Sequence, residues 1–160
     1  MNPIDLRGLT MTFISSALTA AGAETVHDST VAMPFCINGE HYAKSGTNAD
    51  QATPTTDGAT GLTFPTLTAN KGAVMVWCYN SSLAVKCVMG EITDLDAAGN
   101  FVNAPEFPLI PDTLCPFAYQ VLKAGATAGT IAFGTSNWNA TGFTNSIVNV
   151  AVLPNRPQVS

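Results

Sequence analysis

The sequence predicts an all-β fold, a single-domain β-sandwich or barrel-like sandwich with an extended N-terminal arm and long loops. Three observations point to it. Short runs rich in β-branched and aromatic residues recur along the chain, and Gly, Asn and Pro turns separate them. A length of 160 residues is one domain's worth of chain, with room for a real core. Seven or more short strands with such turns between them fit two packed sheets. Residues 1–24 are read as the arm and residues 25–160 as the sandwich domain.

Taken in order, Leu9-Thr10-Met11-Thr12-Phe13 alternates apolar residues with Thr, the period-2 pattern of a half-buried strand. Phe13, Ala17, Leu18 and Ala21 also lie near one helical face, but Thr and Ser weaken a helix, so strand or extended arm leads. A signal peptide is disfavoured. Asp5 and Arg7 cancel where a positive charge belongs, and Thr and Ser interrupt the apolar run. Phe35-Cys36-Ile37, then Asn38-Gly39, then Glu40-His41-Tyr42 is the strongest hairpin signal, because Asn-Gly readily takes the positive φ of a type I′ turn. Residues 45–61 turn to Gly, Thr, Asn, Asp and Ala without apolar period. A loop of that length is usually functional or held by a partner.

Ala73-Val74-Met75-Val76-Trp77-Cys78-Tyr79 reads as a central strand covered on both faces. Asn80-Ser81-Ser82 turns the chain, and residues 83–92 return beside it. Asp94-Leu95-Asp96-Ala97-Ala98-Gly99-Asn100 has the start of a calcium loop, but Ala98 and Pro105 fall where ligands belong, so an acidic turn is expected. Pro105, Pro108, Pro111 and Pro116 make residues 104–117 an extended strap over the domain or along a neighbour. Residues 117–124, 130–133 and 147–153 complete the strand set. The tail Leu153-Pro154-Asn155-Arg156-Pro157-Gln158 should lie on the surface or on another subunit.

Composition excludes several functions. Charged residues make up 11% of the chain, less than half of the roughly 25% usual for soluble domains. Six basic against eleven acidic residues provide no field for gripping a phosphate backbone, so nucleic acid is not an expected partner. No run approaches the roughly 18 apolar residues of a membrane span. Phosphate-binding glycine loops, a Gly-x-Ser-x-Gly elbow and paired Cys/His ligands are absent, so no cofactor, metal or catalytic residue is assigned. His27 and His41 are the only imidazoles, and a structural or surface role is favoured for both. Cys36, Cys78, Cys87 and Cys115 are read as buried thiols, with a Cys78–Cys87 bridge across a hairpin as the alternative. Trp77, Trp138, Tyr79 and Tyr119 are a sugar-stacking platform or, for Trp77 above all, core. Trp138, among polar turn residues, needs a packing partner, for which another chain is a candidate.

The words Phe35-Cys36-Ile37-Asn38-Gly39, Thr53-Pro54-Thr55-Thr56-Asp57-Gly58-Ala59-Thr60-Gly61 and Leu67-Thr68-Ala69-Asn70-Lys71-Gly72 recur in a group of small tailed-bacteriophage virion proteins. So do Pro105-Glu106-Phe107-Pro108-Leu109-Ile110-Pro111-Asp112, Gly134-Thr135-Ser136-Asn137-Trp138-Asn139-Ala140-Thr141-Gly142 and the tail. From about Val31 to Ser160 the chain resembles that group. The resemblance implies a non-catalytic capsid decoration (cement) protein on the virion surface, a homotrimer whose partner is the major capsid protein. The alternative is a head- or tail-fibre module that binds a receptor or glycan. Interface residues are expected at Leu9, Met11, Phe13, Pro54, Phe107, Pro108, Trp138 and Arg156, with the arm and the 45–61 and 104–117 segments reaching over neighbouring subunits.

Overall fold

A computed structural model describes residues 9–20, 25–29, 31–46 and 48–159. Among them every regular element is a strand: β1 Met11–Thr12, β2 Leu18–Ala20, β3 Val26–Ser29, β4 Met33–Ile37, β5 Glu40–Lys44, β6 Asn48–Ala52, β7 Lys71–Asn80, β8 Val85–Met89, β9 Thr93–Asp94, β10 Leu114–Ala124 and β11 Phe143–Asn149. The all-β, sandwich-like single domain expected from the sequence is what forms. Its main sheet runs β11-β10-β7-β8, with β9 also on β7, and two small sheets, β1-β4-β5 and β2-β3-β6, complete it. Every ladder between these strands is antiparallel.

The centre is β7, and its alternation explains the layering. Ala73, Met75, Trp77 and Tyr79 point into a core shared with Leu18, Met33 and Phe35 of the small sheets. Val74, Val76 and Cys78 point to the opposite face with Tyr119 and Val121. That second face is covered by segments without a sheet: Phe101 after the acidic turn, Phe107 and Ile110 of the proline strap, and Val150, Leu153 and Val159 of the chain beyond β11. Phe107 meets Tyr119 edge to face, with ring centroids 5.1 Å apart.

The β10 strand keeps both faces apolar by a bulge. Register shifts between Pro116 and Ala118, where Pro116 has no N–H to give to the ladder. Before the shift Cys115 and Phe117 face the first core. After it Ala118, Leu122 and Ala124 do, so Phe117 and Ala118 share a face.

Local chemistry sets the turns. Asn38 and Gly39 adopt φ of 51° and 80° between β4 and β5, the left-handed pair that a type I′ hairpin demands. Asp96 Oδ1 accepts from the N–H groups of Ala98 (2.9 Å) and Asn100 (2.8 Å), so the carboxylate is engaged in closing an acidic turn. These bonds, that from Asn100 first, hold its carboxyl below the usual range.

Three expectations are corrected, and for the cysteines the buried free thiols form and the bridge alternative does not. Residues 45–61 are not a featureless loop, since β6 pairs with β3 and Asp57 ties the rest to the domain. Its Oδ1 accepts from Ala59 N and Thr60 N (both 2.9 Å) and its Oδ2 from Met89 N (2.9 Å). Residues 130–133 form only a bridge, Ile131 with Leu67, because Leu67 lies in an irregular segment that offers no ladder. The last strand ends at Asn149, before most of residues 147–153, where the chain leaves to cover the second face. Trp77 faces Cys87, and Cys78 faces Lys86. This one-residue offset puts Cys78 and Cys87 on opposite faces of the sheet, and both are free thiols.

Candidate functional site

The expected arm is stitched into its own domain over residues 9–20. Gly39 N donates to Leu9 O (2.9 Å) and Phe13 N to Pro34 O (3.0 Å). The Ser16 hydroxyl donates to Phe117 O (2.9 Å) and lies against Asn149 Oδ1. Asn149 then acts as a surrogate strand edge for Leu18, its Oδ1 accepting from Leu18 N (2.8 Å) and its Nδ2 donating to Leu18 O (3.2 Å). The part of the arm reading that concerns residues 1–8 and 21–24 lies outside the described residues.

Within this segment the apolar alternation is inverted. Thr12, fully buried, is the inward residue, and its hydroxyl donates to Ala151 O at 2.9 Å. Phe13 and Ile14 are left 42% and 41% exposed, with Leu9 also at the surface. Phe13 lies flat on His41, centroids 5.3 Å apart, which rigidifies the ring while its other side stays open. Val152, next to the carbonyl that holds Thr12, is exposed as well. Beyond Thr10 a groove of about 440 Å³ runs between the hairpin tip at Asn38, the end of the strap at Ile110 and Pro111, and Leu153 of the tail. Asn38 Nδ2 closes part of it by donating to Asp112 O at 3.4 Å. Strap residue Leu109 is 92% exposed.

The expected interface residues thus divide. Leu9, Met11 and Phe13 lie together along the inverted strand. Pro54 packs where Gly134 leaves room for its carbonyl, a position with φ of 73° at which a Cβ would come within 2.5 Å of Pro54 O. Phe107 and Pro108 are half-buried in the strap, and Arg156 is exposed on the tail. Trp138 is corrected outright: 4% exposed, it donates from Nε1 to Val26 O at 2.7 Å and meets Phe133 edge to face. The packing partner that its polar surroundings require comes from its own chain. Trp77, Tyr79 and Tyr119 are likewise fully buried, so the sugar platform weighed for these four aromatics is core. The signal missed in sequence was Ile14 and Val152, which are exposed beyond the ends of β1 and β11.

The titratable groups are held apart. His41 is on Phe13, whereas His27 is buried edge-on against Trp77, centroids 4.9 Å apart. Burial lowers the His27 pKa from 6.5 to about 4, the Asp28 charge opposing and Lys44 assisting. Burial also pushes the Cys78 and Cys87 thiols well up, and that of Cys115 to about 12, so none is a ready thiolate near neutral pH. Among the described residues no three His, Cys, Asp or Glu side chains converge as metal ligands would. No protein-family model matches the chain, and no curated protein and no solved structure matches it.

Proposed function

We propose that this protein is a capsid decoration protein of a tailed-bacteriophage virion, a non-catalytic cement that binds the outer shell and bridges capsomers as a homotrimer. The phage virion context and the trimer come from the sequence resemblance. One structural observation carries the interface: Leu9 and Phe13, which flank β1, leave apolar side chains exposed while Thr12 faces in. Exposed apolar side chains gathered there, with Ile14 next in the chain, are the kind of surface a partner covers, with few charges to desolvate. Cement proteins work by adding buried interface, and 11% charge keeps that desolvation small.

The structure changes how this is tested. Deleting residues 1–24 would remove the Ser16 and Leu18 anchors and confound folding with binding. The double variant Leu9→Ser, Phe13→Ser alters only the outward face. It should keep the wild-type urea midpoint while losing more than about tenfold in affinity for heads stripped of the protein. Unchanged occupancy of those heads by a well-folded double variant would overturn the reading.

A further inference from the structure

Among the described residues, four buried side-chain polar atoms have no hydrogen-bond partner: His27 Nδ1, Ser29 Oγ, Thr53 Oγ1 and Thr93 Oγ1. Two of these belong to residues that line one cavity of about 240 Å³. Orphaned buried polar groups are rare in folded proteins, because each forfeits its hydration without return. On β3 the Ser29 hydroxyl lies beside that of Tyr79, whereas His27 Nδ1 has no partner among the described residues and calls for one.

The cavity is built from three elements. Alternation along β3 turns His27 and Ser29 inward and leaves Asp28 on the other side, where its carboxylate accepts from Asp50 N at 2.7 Å. The β7 strand contributes Tyr79 to the floor. Asn48 and Gln51 of β6 form one wall, and Leu83 with the start of β8 forms the aliphatic wall opposite. Lys44, at the end of β5, supplies the cation in the lining, and no carboxylate lines it. Lys44 and His27 line the same cavity.

Backbone strain gathers at the same place. Leu83 has φ of 63° and Asp50 has φ of 51°, two of the four non-glycine residues in the left-handed region among the described residues. Left-handed conformation is rare for leucine, which lacks the local hydrogen bonds that let Asn and Asp adopt it. Here Asn80 enforces it, its Oδ1 accepting from Ser82 N (3.1 Å) and Ala84 N (2.9 Å). Such strain collects where a wall must be held in one shape.

We propose that this cavity binds a monosaccharide-sized hydroxy acid, with its carboxylate on Lys44 and Ser29 and its hydroxyls on the His27 ring and the Asn48 and Gln51 amides. The volume suits about one sugar ring and is below that of drug-sized pockets. Lys44 is the cation among the lining residues and favours a single negative charge. Amides, hydroxyl and imidazole read hydroxyl groups, and the Leu83 wall takes the apolar face of the ring. Such an acid could arrive free or as the terminal unit of an acidic glycan. The site is independent of the capsid-binding face, so its failure would leave that proposal standing.

The test is titration of the full chain with D-galacturonate, with D-galactose as the uncharged control, followed by amide chemical shifts. Galacturonate should bind on the order of millimolar, as a ligand of this size does without a deep enclosure, and should perturb His27, Ser29 and Tyr79. Galactose should bind about tenfold more weakly, and Lys44→Gln should abolish that difference. Ser29→Ala should weaken galacturonate, because it removes a hydroxyl that lines the cavity. A trigalacturonate that binds more tightly than the monomer identifies the glycan as the source, and equal binding identifies the free acid. Absence of shifts at the cavity, or galacturonate binding unaltered in both variants, overturns the proposal.

Discussion

Replacing Gln120 with Met tests the buried polar chain that joins the main sheet to β3. Gln120 is fully buried on the same face as Leu122. Its Oε1 accepts from Trp77 Nε1 at 3.1 Å, and its Nε2 donates to Asn145 Oδ1 at 3.0 Å. Asn145 passes the chain on by donating to Trp138 O at 3.0 Å, and Trp138 ends it on Val26 O. Met fills nearly the same volume, so a cavity contributes little and the loss is polar. Trp77 Nε1 becomes an unpaired donor in a residue with no exposure, which costs about 1–3 kcal/mol. Asn145 is half-buried and can turn to water, so its share is at most about 1 kcal/mol. The sum is about 1–4 kcal/mol. For a chain of this size that lowers the thermal midpoint by about 2–16 °C, read by near-ultraviolet circular dichroism alongside a urea titration. A loss below about 0.5 kcal/mol in Gln120→Met would refute the claim that this network stabilises the core.

Further outcomes follow from individual contacts. Because burial lowers the His27 pKa to about 4 from 6.5, the unfolded chain takes up the proton first as pH falls. His27's contribution is therefore complete above about pH 6.5, is lost on descending to about pH 4, and is constant below. The loss is on the order of 3 kcal/mol, at about 1.4 kcal/mol per pKa unit. Subtracting the pH profile of His27→Gln from that of the wild type should isolate this step, and parallel profiles would contradict it. Gly72→Ala should cost about 1–3 kcal/mol in urea unfolding, because its Cβ would come within 2.7 Å of the Phe101 ring and 2.9 Å of Leu122 O, and the backbone oxygen cannot step aside. Leu9→Ser with Phe13→Ser should leave the urea midpoint within about 0.5 kcal/mol of wild type, as expected for surface positions; a larger loss would place these side chains in the core.

Residues whose signal is local were legible in the sequence. Asn38-Gly39 fixes its hairpin because few dipeptides adopt two positive φ values cheaply, and β7 announces itself by a seven-residue apolar run. The acidic turn at Asp96 was legible for the same reason, its carboxylate closing on N–H groups two and four residues on. The candidate surface was less so. Leu9 and Phe13 could be named, but their outward direction depends on a strand phase that Ala151, 139 residues away from Thr12, decides by accepting its hydroxyl.

The sequence by itself thus determined the all-β class, the central strand and its neighbouring turns, because alternation and turn chemistry act over a few residues. Only the tertiary structure decided which face each short strand shows. Trp138 went inward because Val26 O and Phe133 wait for it, Cys78 and Cys87 parted because the ladder runs one residue off, and His27 and Ser29 came to share a cavity with Lys44. A period of two leaves phase free, and phase is set by long-range contacts that spacing along the chain does not encode.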